Sequence, residues 1–278
     1  MKIAVHMSMF CKEWTDDIIP ALGKVKDIGF NGVEISLYGA SEEKLFNSFD
    51  AARNLGLEII CGTGVSPETD PSSVNKDIRL NALNYLKNAV DKAHRAKALF
   101  INGVLYAPWQ GFSKESRKIR WKNSSEVLKE VGEYAKSKGV GLNVEVINRF
   151  ETDFFNKVEE AAEFVDMIGL DNVKLLVDTF HMNIEENNIY ESVDKYINYI
   201  GCVHVTENHR GVPGTGHIDW HKLIEVLNKN KYNGYLDMET FVESGTQVGD
   251  ALFIWNADKD PFAEAKKGYN YLKKLLGE

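Results

Sequence analysis

The sequence predicts an α/β protein folded as a single (β/α)8 TIM barrel over residues 1–278. Three observations predict it. Eight short runs rich in Val, Ile, Leu and Phe alternate with longer stretches whose charged residues recur at helical spacing. The short runs show little polar–apolar alternation, as parallel strands covered on both faces require. A length of 278 residues is that of an eight-unit barrel, and no linker divides it. A doubly wound open sheet shares this element order, so the placement of polar residues at strand ends has to decide between them.

Residues 2–7 read as the first strand, followed by a helix over 16–28 in which Asp16 and Asp17 suit the N-terminus and Gly29 the end. The second strand is expected over 32–37 and its helix over 41–55. A third strand over 57–61 leads through the turn-rich GTGVSPETDPSS into a long helix over 75–96. The fourth strand spans 99–104, with its helix between 114 and 138, stopped at Gly139. The second half repeats this rhythm, with strands over 142–146, 173–177, 202–205 and 235–238. Their helices are expected over 158–168, around 185–200, over 220–230 and over 261–276, the last with Pro261 in its first turn.

Composition narrows the function. Lys plus Arg number 33 against 41 Asp plus Glu, a formal charge of −8, whereas proteins that bind nucleic acid by neutralising phosphates carry a basic balance. The three cysteines, Cys11, Cys61 and Cys202, lie far apart without a CxxC pair, which argues against a disulfide framework or a cysteine zinc site and for a cytoplasmic setting. The N-terminal MKIAVHMSMFCKEW is interrupted by His6 and Ser8 before it reaches the length of a signal-peptide core. No run approaches the ~20 apolar residues of a membrane span. Small-molecule chemistry is the expectation, with no nucleic acid and no membrane.

Each of the last four strand runs delivers a potential metal ligand near its C-terminal end, where barrel active sites form. LNVEVINRFE carries Glu145 within an apolar run and Glu151 beyond it; KLLVDTFHMN carries Asp178 and His181. GCVHVTENHRG gives His204 and Arg210, and YLDMETF gives Glu239. Any one of these alone would serve as a salt-bridge partner, a helix cap or a core histidine. Three carboxylates converging on one barrel mouth would repel unless a cation held them, because an unpaired buried carboxylate is costly. Two Glu, one Asp and one His form a mostly hard donor set, suited to Mn²⁺, Mg²⁺ or Co²⁺.

The runs VEVINRFE, LVDTFHMNIEE, HVTENHRGVPGTGHIDW and DMETF, together with LYAPWQG and the closing WNADKDPFAEAKKGYNYLKKLL, resemble the ketose 3-epimerases of the D-tagatose and D-psicose (D-allulose) type. These belong to the xylose-isomerase-like sugar isomerase and epimerase superfamily. The resemblance implies a divalent metal, Mn²⁺ above Mg²⁺ or Co²⁺, held by Glu145, Asp178, His204 and Glu239. It implies that Glu145 and Glu239 also form the acid/base pair that inverts C3 of a free ketose through an enediolate. Glu151, His181 and Arg210 would grip the carbonyl end of the sugar.

Aromatic side chains near the first strands and the fourth, His6, Phe10, Trp14 and Trp109, are candidates for the wall over the distal carbons, with His6 standing where several relatives have Tyr. The methionines read as packing, and His94, His209, His217 and His221 as lying outside the chemistry. The resemblance also implies a homodimer or homotetramer.

Other readings keep the same barrel. An aldose–ketose isomerase, or a keto-inositol or keto-acid epimerase or dehydratase, would reuse the site. A sugar-phosphate enzyme would exploit the glycine-rich RGVPGTG loop after the seventh strand. An apurinic endonuclease would need more histidine and a basic face. A non-catalytic sugar-binding barrel is the alternative from a different class.

Overall fold

The computed structural model describes residues 1–255 and 257–277. Eight parallel strands close in chain order: β1 (Lys2–His6), β2 (Gly32–Ser36), β3 (Glu58–Gly62), β4 (Phe100–Gly103), β5 (Gly141–Val146), β6 (Val173–Asp178), β7 (Ile200–His204) and β8 (Tyr235–Met238), which pairs back onto β1. Among the described residues, ten α-helices surround them: α1 (Ile19–Ile28), α2 (Glu42–Asn54), α3 (Lys76–Ala96), α4 (Arg117–Ser137), α5 (Val158–Ile168), α6 (Thr179–Glu185), α7 (Ile189–Tyr196), α8 (Trp220–Lys229), α9 (Gln247–Ala251) and α10 (Pro261–Leu275). Closure removes every strand edge and answers the open-sheet alternative. Among the described residues, no helix is long and apolar enough to cross a membrane.

Local chemistry explains where the helices start. Ser41 and Asn75 cap α2 and α3 through their side-chain oxygens, as helix N-termini with four unpaired N–H groups require. The helix expected from residue 16 begins instead at Ile19. Asp16 is occupied in closing a turn onto the N–H groups of Lys12 and Glu13, and Asp17 accepts the Ile19 N–H. The helix expected around 185–200 is shorter, α7 over Ile189–Tyr196, and a separate helix, α6, precedes it. Asp178 caps α6 directly at the end of β6, the chain leaves the helix at Glu186, and Asn188 caps α7. A 3₁₀ turn over Ile197–Tyr199 then leads into β7, which starts two residues before the expected 202. The short helix α9 and the 3₁₀ turns Met7–Phe10 and Pro67–Thr69 lack the apolar period that marks longer helices.

Because side chains alternate along a strand, residues two apart share the barrel interior. Ala4, Ile60, Leu176, Cys202 and Tyr235 form a small apolar cluster of their own, separate from the main core beneath the helices. The same period places His6, Asp178 and His204 one step toward the mouth from Ala4, Leu176 and Cys202. It likewise places Glu145 above Asn143 and Glu239 above Asp237. Register aligns these residues around the barrel: His6 opposes Glu34, Asp178 opposes His204, and His204 opposes Asp237.

Outside the barrel, Phe164 of α5 is fully buried with ring centroids of Phe154, Phe155 and Trp121 at 5.3, 5.5 and 5.6 Å. Phe164→Ala should cost about 3–5 kcal/mol, the range for deleting a buried aromatic ring, read as a lowered urea midpoint. Met7 and Met9 are buried as expected of packing residues, but Met167 is exposed on α5.

Candidate metal centre and sugar site

The strands deliver Glu145 from β5, Asp178 from the last position of β6, His204 from the last position of β7, and Glu239 one residue beyond β8. One ligand atom from each lies within 4.8 Å of the others. The Nδ1 of His204 sits 3.6 Å from Glu239 Oε2 and 3.9 Å from both Glu145 Oε1 and Asp178 Oδ2. It is buried and has no hydrogen-bond partner among the described residues. Its other nitrogen, Nε2, lies 3.3 Å from Glu34 Oε2, which leaves Nδ1 facing the three carboxylates. An imidazole nitrogen ringed by carboxylate oxygens just beyond hydrogen-bond distance fits a cation among them, and the hard donor set fits a divalent ion. This buried Glu/Asp/His cluster can bind a metal.

The ionisation of the four groups is strongly coupled. Burial, followed by the charge of Glu239, pushes Glu145 well above the usual carboxylate range and Asp178 up to about 7. Burial also acts to raise Glu239, but His204, His6 and Arg210 outweigh it and hold Glu239 far below that range. His204 is raised well above 6.5: burial disfavours its charged form, and Glu239 and Glu34 overcome that.

Next to the cluster, Glu151 is gripped by three donors. Trp109 Nε1 reaches Oε2 at 2.7 Å, and Asn148 Nδ2 and Arg210 Nη2 each reach Oε1 at 2.9 Å. Arg210 is only 5% exposed, and its guanidinium lies 4.2 Å from the centre of the Phe180 ring. Its backbone is left-handed, at φ 61°, held by the turn bond from Arg210 N–H to the Glu207 carbonyl. His181 Nδ1 accepts from the Asn148 amide at 2.7 Å, so its Nε2 carries the proton and faces Glu145 Oε1 at 3.8 Å. Burial pushes His181 down to about 4, consistent with a neutral ring.

All ten sequence-predicted site residues except Asp178 line one cleft of about 540 Å³, and Asp178 closes the metal cluster at its floor. Trp14 and His6 stand in its wall. Trp109 does too, but it holds Glu151 through its indole N–H and is not merely an apolar cover. Phe10 is not in the wall; it stacks on Phe262 with centroids 4.7 Å apart. His94, His209, His217 and His221 are exposed and do not line this cleft.

Sequence reasoning missed Asn148 and Phe241, which sit in loops without a distinctive pattern, Gln247 at the start of the short helix α9, and also the buried polar layer of Glu34, Asn102, Asn143 and Asp237. Glu34 and Asp237 carried a usable signal, a charge inside an apolar run.

The family model for the xylose isomerase-like TIM barrel matches residues 22–275. The chain belongs to that family. A D-psicose 3-epimerase of Ruminiclostridium cellulolyticum is 34% identical, over 92% of this chain and 89% of the relative. An L-ribulose 3-epimerase of Mesorhizobium japonicum is 31% identical, over 79% of this chain and 74% of the relative. The crystal structure of D-psicose 3-epimerase with D-tagatose from Clostridium cellulolyticum H10 superposes with a TM-score of 0.93 at 32% identity, covering 99% of each chain. A D-allulose 3-epimerase from Methylomonas sp. in complex with D-allulose superposes with a TM-score of 0.91 at 26% identity, covering 99% of this chain and 97% of the other.

Proposed function

We propose that this xylose isomerase-like barrel is a metal-dependent isomerase that epimerises a free ketose at C3, with Glu145 and Glu239 as its acid/base pair. The observation that carries the pairing is geometric: Glu145 from β5 and Glu239 from just beyond β8 both line the cleft, with carboxylate oxygens 3.9 and 3.6 Å from the same His204 Nδ1. A divalent ion held by Glu145, Asp178, His204 and Glu239, Mn²⁺ in this reading with Mg²⁺ or Co²⁺ as substitutes, would supply polarisation of the ketone oxygen.

Glu239 takes the C3 proton from one face of the sugar, leaving the enediolate electron pair on the substrate. Glu145 delivers its own proton to the opposite face, and in the reverse direction the two exchange roles. Glu151, held by Trp109, Asn148 and Arg210, presents a fixed acceptor to a sugar hydroxyl, and the Nε2–H of His181 a fixed donor to an oxygen. The wall formed by His6, Trp14 and Phe241 covers the distal carbons.

An unphosphorylated sugar is favoured by the loop after β7. The Gly214 N–H and the Trp220 indole N–H both donate to Glu207 Oε1, at 2.9 and 2.6 Å, and the His217 N–H donates to Asn208 Oδ1. A buried carboxylate already occupies the donors that a phosphate would need. In this reading the chain works as one domain in the cytoplasm and assembles as a homodimer or homotetramer. The exposed aromatics Phe112, Phe150, Phe253 and Trp255 support assembly, which light scattering checks.

Incubating metal-loaded protein in D₂O with free and phosphorylated ketoses tests the proposal. Deuterium should appear at C3 of a free ketose together with its epimer. Aldose products with label at C1 or C2 would point to an isomerase, and an inert panel to a binding protein. Arg210→Lys should raise KM about tenfold or more with metal content unchanged, because a single ammonium cannot both hold Glu151 and stack on Phe180 as the planar guanidinium does.

A further inference from the structure

The loop between β7 and α8 is built around a carboxylate that takes no part in the proposed reaction. Glu207 stands just beyond β7, is 0% exposed, and does not line the cleft. Four N–H groups converge on it. Those of Gly214 and the Trp220 indole reach Oε1 at 2.9 and 2.6 Å, and those of Asn208 and Ile218 lie 3.4 and 3.5 Å from Oε2. Trp220 is the first residue of α8 and is itself buried, so the carboxylate ties the far side of the loop and the start of a helix to the end of β7.

Glycines make way for this arrangement. A Cβ on Gly216 would meet Glu207 Oε2 at 2.4 Å and Asn208 Oδ1 at 2.2 Å, and Gly214 turns with φ 85°. The backbone of Glu207 closes a turn of its own within the loop. Its N–H donates to the Gly211 carbonyl at 3.0 Å, and its carbonyl accepts the Arg210 N–H at 2.9 Å. Arg210 sits in that turn with φ 61°, a conformation that a residue with a Cβ keeps only where the surrounding structure holds it. From there its guanidinium reaches Glu151 Oε1 at 2.9 Å and lies over the Phe180 ring.

We propose that Glu207 is a positioning residue for the sugar site, an internal anion round which the loop after β7 closes and so delivers Arg210 to Glu151. It acts through Arg210 and not on the sugar. Converging N–H groups make a nest for negative charge. A glutamine there, whichever way its amide is turned, sets an NH₂ group against two of the four donors, so the loop loses its anchor without losing the side chain's shape.

This role rests on the reading of Arg210 and Glu151 as the grip on a ketose, and proteolysis separates the two because it needs no turnover. In metal-loaded, full-length Glu207→Gln, KM for the free ketose should rise about tenfold or more and kcat should change by less than about threefold, with Mn²⁺ bound per chain equal to wild type. Adding Arg210→Lys should raise KM little further, because both substitutions disable the same contact. Gly216→Ala crowds the carboxylate but leaves its charge in place; it should reproduce the rise in KM, and it decides the question if Glu207→Gln fails to fold. Trypsin acting on the native protein should cut first at the Arg210–Gly211 bond in either variant and spare that bond in wild type, as mass spectrometry of the fragments reads. A folded Glu207→Gln protein with wild-type KM and a protected bond overturns the role of Glu207. So does a rise in KM that adds in full to that of Arg210→Lys. A wild type that turns over no ketose overturns the epimerase reading alone, and the tryptic cut still decides whether Glu207 closes the loop.

Discussion

Glu239→Gln should lower kcat for C3 epimerisation by about 10²–10⁴-fold, the range for losing a positioned general base. Glutamine keeps the shape and one oxygen for the metal but cannot take a proton. The same substitution at Glu145 should cost as much, yet the two variants should differ in isotope exchange. With Glu145→Gln, Glu239 still removes the C3 proton of the epimer whose hydrogen faces it, so that epimer exchanges with D₂O without inverting. With Glu239→Gln, only the opposite epimer should exchange. Both variants need manganese measured alongside, because each glutamate belongs to the four-residue cluster. Full epimerase activity in a metal-replete Glu239→Gln protein would refute the two-carboxylate mechanism.

The order of elements was legible because burial on both faces makes parallel strands read as apolar runs, and eight of them in this length leave few alternatives. The upper cluster was legible because its members stand at successive strand ends, where register brings them together. The layer beneath it was not, and two glutamates show why. Glu34 and Glu58 both sit in early apolar runs, at NGVEIS and LGLEII. Glu58 opens β3 at the bottom of the barrel, partly exposed and paired with Lys2 and Tyr235. Glu34 lies two residues further along its strand and is buried between His6, Asn102 and His204. Which end of a strand a charge occupies depends on the barrel's stagger, a property of all eight strands together that no local run of sequence records. The exchange of roles at Trp109, from wall to Glu151 donor, likewise depends on a loop after β5 folding back against the loop after β4.

Removing the metal should abolish epimerase activity, and the pH dependence of its return should report on Asp178. In the metal-free protein Asp178 sits at about 7, raised first by burial and then by Glu239. A carboxyl raised above its unfolded value of ~3.9 favours folding while protonated, so that contribution is full below about 4 and is lost as pH rises through about 7. Glu145, raised for the same reasons, acts in the same direction. His181 acts in the opposite sense. Lowered from 6.5 to about 4 by burial, it stabilises the fold above about 6.5, and that contribution is lost as pH falls toward 4. At about 4, His181 is already neutral over the range from pH 5 to pH 7, so the difference between loaded and stripped protein reports on the carboxyls. Binding a divalent ion must displace the Asp178 proton, and a displaced proton changes apparent affinity about tenfold per pH unit below the group's pKa. The Kd for Mn²⁺ should therefore fall at least about tenfold per unit from pH 5 to pH 7, and the gain in Tm on loading should grow over the same interval. Calorimetric titration in buffers of different ionisation enthalpy counts the protons directly. An affinity that is flat from pH 5 to pH 8, with no proton released, would mean that the cluster is already ionised and that the crowding of its carboxylates is relieved some other way.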